Sequence, residues 1–142
     1  MTKTAAERLI PELQGFFDAV EREDIEALEV VLDRNVHPDS EFTSQIGSEL
    51  EGRTFLGPDG IREWFTDLIA TMKLRYEDRE FRTVGENAVL FLTTFSGKGR
   101  GSGADVSREI GVIWELEDGL VRRTISCPTQ SEALAAAEAL LA

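Results

Sequence analysis

Few side chains in this chain have a type and spacing suited to chemistry. The segment FSGKGRGSGADVS, residues 95–107, places four glycines at every second position, with Lys98 and Arg100 between them. Gly99-x-Gly101-x-x-Ala104 matches a degenerate dinucleotide fingerprint, but that fingerprint works only where the glycines lead into a helix whose N–H groups hold a pyrophosphate. Here they lead into DVSREIGVIWEL, a β-branched run, and Gly97-Lys98 is followed by Gly99 where a P-loop needs Ser or Thr. The segment therefore reads as a hairpin tip whose two basic side chains face water.

The titratable candidates are sparse. Asp39 and Glu41 are two apart, which puts both on one face of a strand. They could couple as acid and base, but charge on a solvent-facing edge strand is the expectation. Arg108 and Glu109 fall on opposite faces of a later strand. An inward Arg108 would hold a carboxylate or polarised oxygen; an exposed position near the hairpin tip is expected instead. His37 and Cys127 are the chain's imidazole and thiol. Cys127 has the opposite parity to Ser126 and nothing brings His37 to it, so no Cys–His nucleophile is expected, and neither is a metal or a cofactor.

Three helical patterns must position whatever site exists. Leu9, Leu13, Phe16, Phe17 and Val20 share one face, opened by the capping-box pair Thr4 and Glu7, with Pro11 expected to delay the regular part. Ile25, Leu28, Val31 and Leu32 follow Asp24, a good N-cap. Ile61, Trp64, Phe65, Leu68, Ile69 and Met72 follow LGPDG. A short strand is expected around 37–44. Strands are expected at 74–84, 88–96, 105–117 and 120–127, the last two joined by Asp118-Gly119, and a helix at 130–142 opened by Thr129 and Glu132. The order α-α-β-α-β-β-β-β-α predicts an α+β fold in one domain, residues 1–142.

Bulk properties exclude several classes. The 142 residues carry a formal net charge of −12, which opposes nucleic-acid binding. No apolar run approaches the length of a membrane span, and the N-terminal residues do not read as a signal peptide. A single cysteine leaves no internal disulfide, so a cytoplasmic location is the expectation.

With these elements in place, FFDAVEREDIEALEVVLDRNVHPDSEF, EGRTFLGPDGIREWFTDL, GKGRGSG, VIWELEDGLVRR and SEALAAAEALL together resemble the SnoaL-like branch of the nuclear-transport-factor-2-like superfamily. The resemblance spans about residues 10–142 and is carried most specifically by GxxGIREWF-type and WxLxDGxV-type segments. It implies a cone-shaped α+β barrel in which a curved antiparallel sheet wraps helices and leaves a pocket at the wide end. Polyketide cyclases, ketosteroid isomerases, limonene epoxide hydrolases, dehydratases and non-enzymatic binding or association domains share that fold, so the site has to be argued separately.

The resemblance also implies where catalytic groups would lie. A helix-one Tyr is replaced by Phe16, a strand-one Asp base by Thr43 or Ser44, a helix-three Tyr by Phe65, and an oxyanion-stabilising Asp by Val112. The Asp of the epoxide-hydrolase and cyclase branches falls near Ser126. None of these replacements transfers a proton near neutral pH. What remains is a candidate pocket set of Phe16, Phe17, Phe42, Trp64, Phe65, Val112 and Trp114, with Thr94, Thr124 and Ser126 as polar accents.

The expected function is binding of a small apolar molecule. The alternatives are a cofactor-independent cyclase, isomerase or hydrolase using Asp39, Glu41 or Arg108, and an association module. A homodimer is expected because Leu90 and Leu92 share one face of their strand and Val89, Phe91 and Phe95 the other. With the leucine face turned inward, the second face would be exposed.

Overall fold

The computed structural model describes residues 2–44, 53–101, 103 and 105–142; Glu51, Gly52, Ser102 and Ala104, which belong to segments quoted above, lie outside the described residues. Helix α1 (Ala5–Arg22) begins at the Thr4–Glu7 capping box, in which the Glu7 amide donates to Thr4 Oγ1 at 3.1 Å and the Thr4 amide to Glu7 Oε1 at 2.9 Å. Pro11 does not delay it. Its ring lies on the exposed face, where water can satisfy the carbonyl that loses an intrahelical partner. Glu23 ends α1 in the left-handed region at φ 60°, and Asp24 immediately caps α2 (Ile25–Asn35) through the Ala27 amide at 3.1 Å.

Strand β1 (Val36–Ser44) leads to β2 (Arg53–Leu56), a four-residue strand too short to register as a period in the sequence. Helix α3 (Gly57–Thr71) then starts directly in GPDG, with Pro58 in its first turn. Gly57 has φ 67°, and a Cβ there would stand 3.0 Å from the Pro38 carbonyl oxygen. The rest of the chain is β3 (Met72–Val84), β4 (Ala88–Gly99), β5 (Asp105–Glu117), β6 (Leu120–Cys127) and α4 (Gln130–Leu141). Asp118 and Gly119 take φ 53° and 81° between β5 and β6, the doubly positive turn that matches strand twist.

The six strands form one curved, unclosed sheet in the order β2-β1-β6-β5-β4-β3. Its pairings are antiparallel except that β1 runs parallel to β6. β1 is therefore an inner strand over Glu41–Ser44, where β2 flanks it, and the expectation that Glu41 dresses a sheet edge is corrected. Asp39 and Glu41 are both exposed, Asp39 just before the pairing with β2 begins.

The two faces of β4 are assigned opposite to the expectation behind the dimer. Val89, Phe91 and Phe95 are buried in the interior cluster with α1 and α3, while Leu90 and Leu92 lie under α4 with Ile113, Cys127 and Ala133. Neither face is bare, so the exposed phenylalanine patch does not exist. β4 is apolar on both sides because each side has a helix to cover it. α4 sits close to the sheet at Gly111, where a Cβ would come within 2.3 Å of Ala133 Cβ.

The glycine segment is a hairpin. Lys98 pairs with Asp105, Gly101 and Gly103 have φ 81° and 71°, and the chain runs on into β5. Arg100, however, does not simply face water. Its Nε donates to the Ile69 carbonyl at 2.9 Å and its Nη2 lies 2.5 Å from Glu23 Oε2. The C-terminal carbonyls of α3 draw the guanidinium back onto the body of the protein.

Candidate ligand-binding site

The concave face of the sheet and three helices enclose a cavity of about 280 Å³ that opens to solvent. Alternation on β5 turns Val106, Arg108, Ile110, Val112 and Trp114 into it. On β6, Thr124 and Ser126 face inward beside Trp114 and Val112 respectively, and a register shift next to Leu116 lets Val121 join them. Phe42 of β1 pairs with Thr124 on one side and with Phe55 on the other. Leu9, Leu13, Phe16 and Phe17 come from α1, and Ile61, Trp64, Phe65 and Leu68 from α3.

Rings meet edge to face around this space. Phe16 and Phe65 have centroids 5.0 Å apart at 85°, Phe16 and Phe17 5.3 Å at 90°, and Phe42 and Trp64 5.9 Å at 63°. Phe17 continues the chain of contacts to Phe91 at 4.8 Å and Trp114 at 6.0 Å. Such offset contacts fix ring orientation, so the wall is preorganised.

Nine of the ten residues singled out from the sequence line the cavity: Phe16, Phe17, Phe42, Trp64, Phe65, Val112, Trp114, Thr124 and Ser126. Thr94 does not. It has the parity of Leu90 and Leu92 and so belongs to the outer face. The ambiguity between Thr43 and Ser44 also resolves. Ser44 is buried in register with Ser126, whereas Thr43 places its hydroxyl 3.3 Å from that of Thr54 on the opposite face. The positions at which proton-handling side chains were implied thus face inward and hold phenyl, isopropyl and hydroxymethyl groups.

Polar atoms in the wall are few. Thr124 Oγ1 is buried without a hydrogen-bond partner among the described residues. Burial, reinforced by the charge of Glu21, pushes the Tyr76 hydroxyl above its ordinary value of 10.0, so it stays a neutral phenol. A bulge at Asp78, φ 52°, lets Arg79 reach back to the Tyr76 carbonyl at 2.9 Å and to Asp18 Oδ1 at 2.8 Å, and it also pairs with Glu21. Asn35 Nδ2 donates to the Val31 carbonyl at 2.9 Å and to Glu12 Oε1 at 3.2 Å. Arg108 is exposed, as expected of a strand residue near the hairpin tip, and it also lines the cavity. Its parity with Val112 and Trp114 was the signal for it; Tyr76, Phe95 and Asn35 carried no comparable signal.

The remaining candidates lie elsewhere. Glu41 Oε2 is 3.9 Å from Arg122 Nη1, and the same guanidinium reaches the Asp39 carbonyl, all on the outer surface. His37 Nδ1 accepts from the Asp39 amide at 2.9 Å. Cys127 is buried beneath α4, where desolvation and then the charge of Glu132 push its thiol up. Among the described residues no group of three or more His, Cys, Asp or Glu is placed to hold a metal ion, and no helix is long and apolar enough to cross a membrane.

Solved structures share this architecture at low sequence identity. A candidate polyketide cyclase from Xanthomonas campestris pv. campestris superposes with a TM-score of 0.69 at 14% identity, over 94% of this chain and 99% of that one. TerC, co-crystallised with polyporic acid, gives 0.65 at 22% identity over 91% and 97%. A computationally designed 17-OHP binder gives 0.66 at 12% identity over 92% and 95%. At these identities the likeness is one of fold. No curated protein matches the chain by sequence. A family model described as the SnoaL-like domain does match, over residues 13–124, a span that runs from α1 to the cavity-lining Thr124 of β6. Model and architecture agree: the chain belongs to the SnoaL-like domain family.

Proposed function

We propose that this protein binds a small, mostly apolar molecule in the cavity and does so without carboxylate general-base catalysis. The observation that carries the reading is the wall itself: about 280 Å³ bounded mainly by aromatic and aliphatic side chains, with no Asp or Glu among the described residues that line it. A wall of this kind favours an apolar guest through desolvation, roughly 25 cal/mol for each Å² removed from water. Asp39 and Glu41, on the outer surface, are poorly placed to serve as an acid–base pair in the cavity.

The test is titration with the neutral fluorophore N-phenyl-1-naphthylamine. Wild-type protein should bind it; Trp114→Ala and the cavity-filling Val112→Trp should each weaken it by about tenfold or more, and Glu41→Gln should leave it unchanged. Absence of binding by a folded wild-type protein would overturn the reading. Arg108 favours a second reading, a cofactor-independent cyclase, isomerase or hydrolase in which that guanidinium stabilises a developing oxyanion. Turnover in such a screen that Arg108→Gln abolishes would promote it.

A further inference from the structure

We infer that the cavity selects an organic anion: a ligand with an apolar body and one terminal carboxylate-type oxygen pair, received by Arg108. This rests on the binding function proposed above and specifies the ligand class. Arg108 is the one formally charged side chain among the described residues lining the cavity, and those residues include no Asp or Glu. It also has no ion-pair or hydrogen-bond partner among the described residues. That is unusual in this chain, where Asp and Glu outnumber Lys and Arg by 27 to 15 and Arg62, Arg79, Arg100, Arg122 and Arg123 all have acidic partners.

The stem of Arg108 lies between Val106 and Ile110 on β5 and opposite Phe95 on β4, all lining the cavity. The aliphatic portion is therefore packed as wall while the head group keeps five unused donors at the mouth. A planar guanidinium receives a carboxylate through two parallel bonds. A cationic guest would meet like charge, with no acidic side chain among the described lining residues to compensate it. Thr124, a residue only 3% exposed whose Oγ1 has no hydrogen-bond partner among the described residues, supplies a second polar point in the interior. Its neighbour Trp114 lies six residues along β5 from Arg108, about 20 Å of strand. The ligand is thus oriented, anion outward and body inward along the strand, and an oxygen at its inner end would meet Thr124.

Two fluorescent probes of matched shape separate the possibilities: 2-anthracenecarboxylate and its neutral carboxamide. The wild-type protein should bind the carboxylate about tenfold more tightly, the scale of one charge-assisted hydrogen-bonded pair. Arg108→Gln should bring the ratio of the two affinities to about one, and Arg108→Lys should keep part of the preference. Trp114→Ala should weaken both probes alike. Equal binding of the two probes by wild type, or a preference that survives Arg108→Gln, would overturn the anion assignment and leave the apolar pocket standing. Failure of both probes to bind folded wild-type protein would overturn the pocket reading as well.

Discussion

Arg100, at the tip of the β4–β5 hairpin, lies 2.5 Å from the carboxylate of Glu23, the left-handed residue that closes α1. The same side chain donates to the Ile69 carbonyl near the end of α3, and its amide donates to the Thr71 carbonyl. One residue therefore ties the hairpin to two helix C-termini. Arg100→Ala should cost about 1 kcal/mol, since the pair is partly solvent-screened but the helix carbonyl loses a charged donor. Lys98→Ala should stay within about 0.5 kcal/mol. Urea denaturation of the two single variants checks this, and equal stabilities would remove the structural role given to Arg100.

Gly111 and Ala133 set how closely α4 approaches the sheet. A methyl group at 111 would meet Ala133 Cβ at 2.3 Å, far inside van der Waals contact. Gly111→Ala should destabilise by about 2 kcal/mol through overpacking. Combining it with Ala133→Gly should recover part of that loss, less the roughly 1 kcal/mol helix cost of glycine. A strictly additive double variant in thermal unfolding would contradict direct contact.

Thr124 gives a trade between stability and binding. Its hydroxyl is buried with no partner among the described residues, so Thr124→Val should leave stability unchanged or raise it by up to about 1 kcal/mol. The same substitution should weaken guests that carry an oxygen at their inner end and spare pure hydrocarbons. Loss of more than about 1 kcal/mol on Thr124→Val would show that the hydroxyl is satisfied after all.

Alkaline pH should expose the burial of Tyr76. Its folded-state value is raised, mainly by desolvation. Above the ordinary value of 10.0 the unfolded chain releases the phenolic proton and the folded chain keeps it. The unfolded state then binds fewer protons, and stability falls as pH climbs from there towards the raised value. Tyr76→Phe should flatten that fall. Because Tyr76 is the chain's single tyrosine, phenolate absorbance in folded and urea-unfolded samples reads the shift directly. Coincident titrations would refute it.

Local chemistry alone determined much of this protein. Thr4 with Glu7, Asp24, and Thr129 with Glu132 mark helix starts that the structure reproduces, because a cap satisfies orphan amides a few residues away and needs no distant partner. Asp118-Gly119 fixes its turn for the same reason, and the alternation from Val106 to Trp114 was enough to put those side chains on one face. Which face turned inward was another matter. β4 is apolar on both sides, so period two could not tell Phe91 from Leu92; only the docking of α1 inside and α4 outside separated them. Thr94 was misplaced for that reason. The burial of β1 between β2 and β6, the return of Arg100 to Glu23, and the place of Arg108 in the cavity wall depend on residues tens of positions apart. Such pairings exist only once the sheet has curved around its helices, and local periodicity carries no record of them.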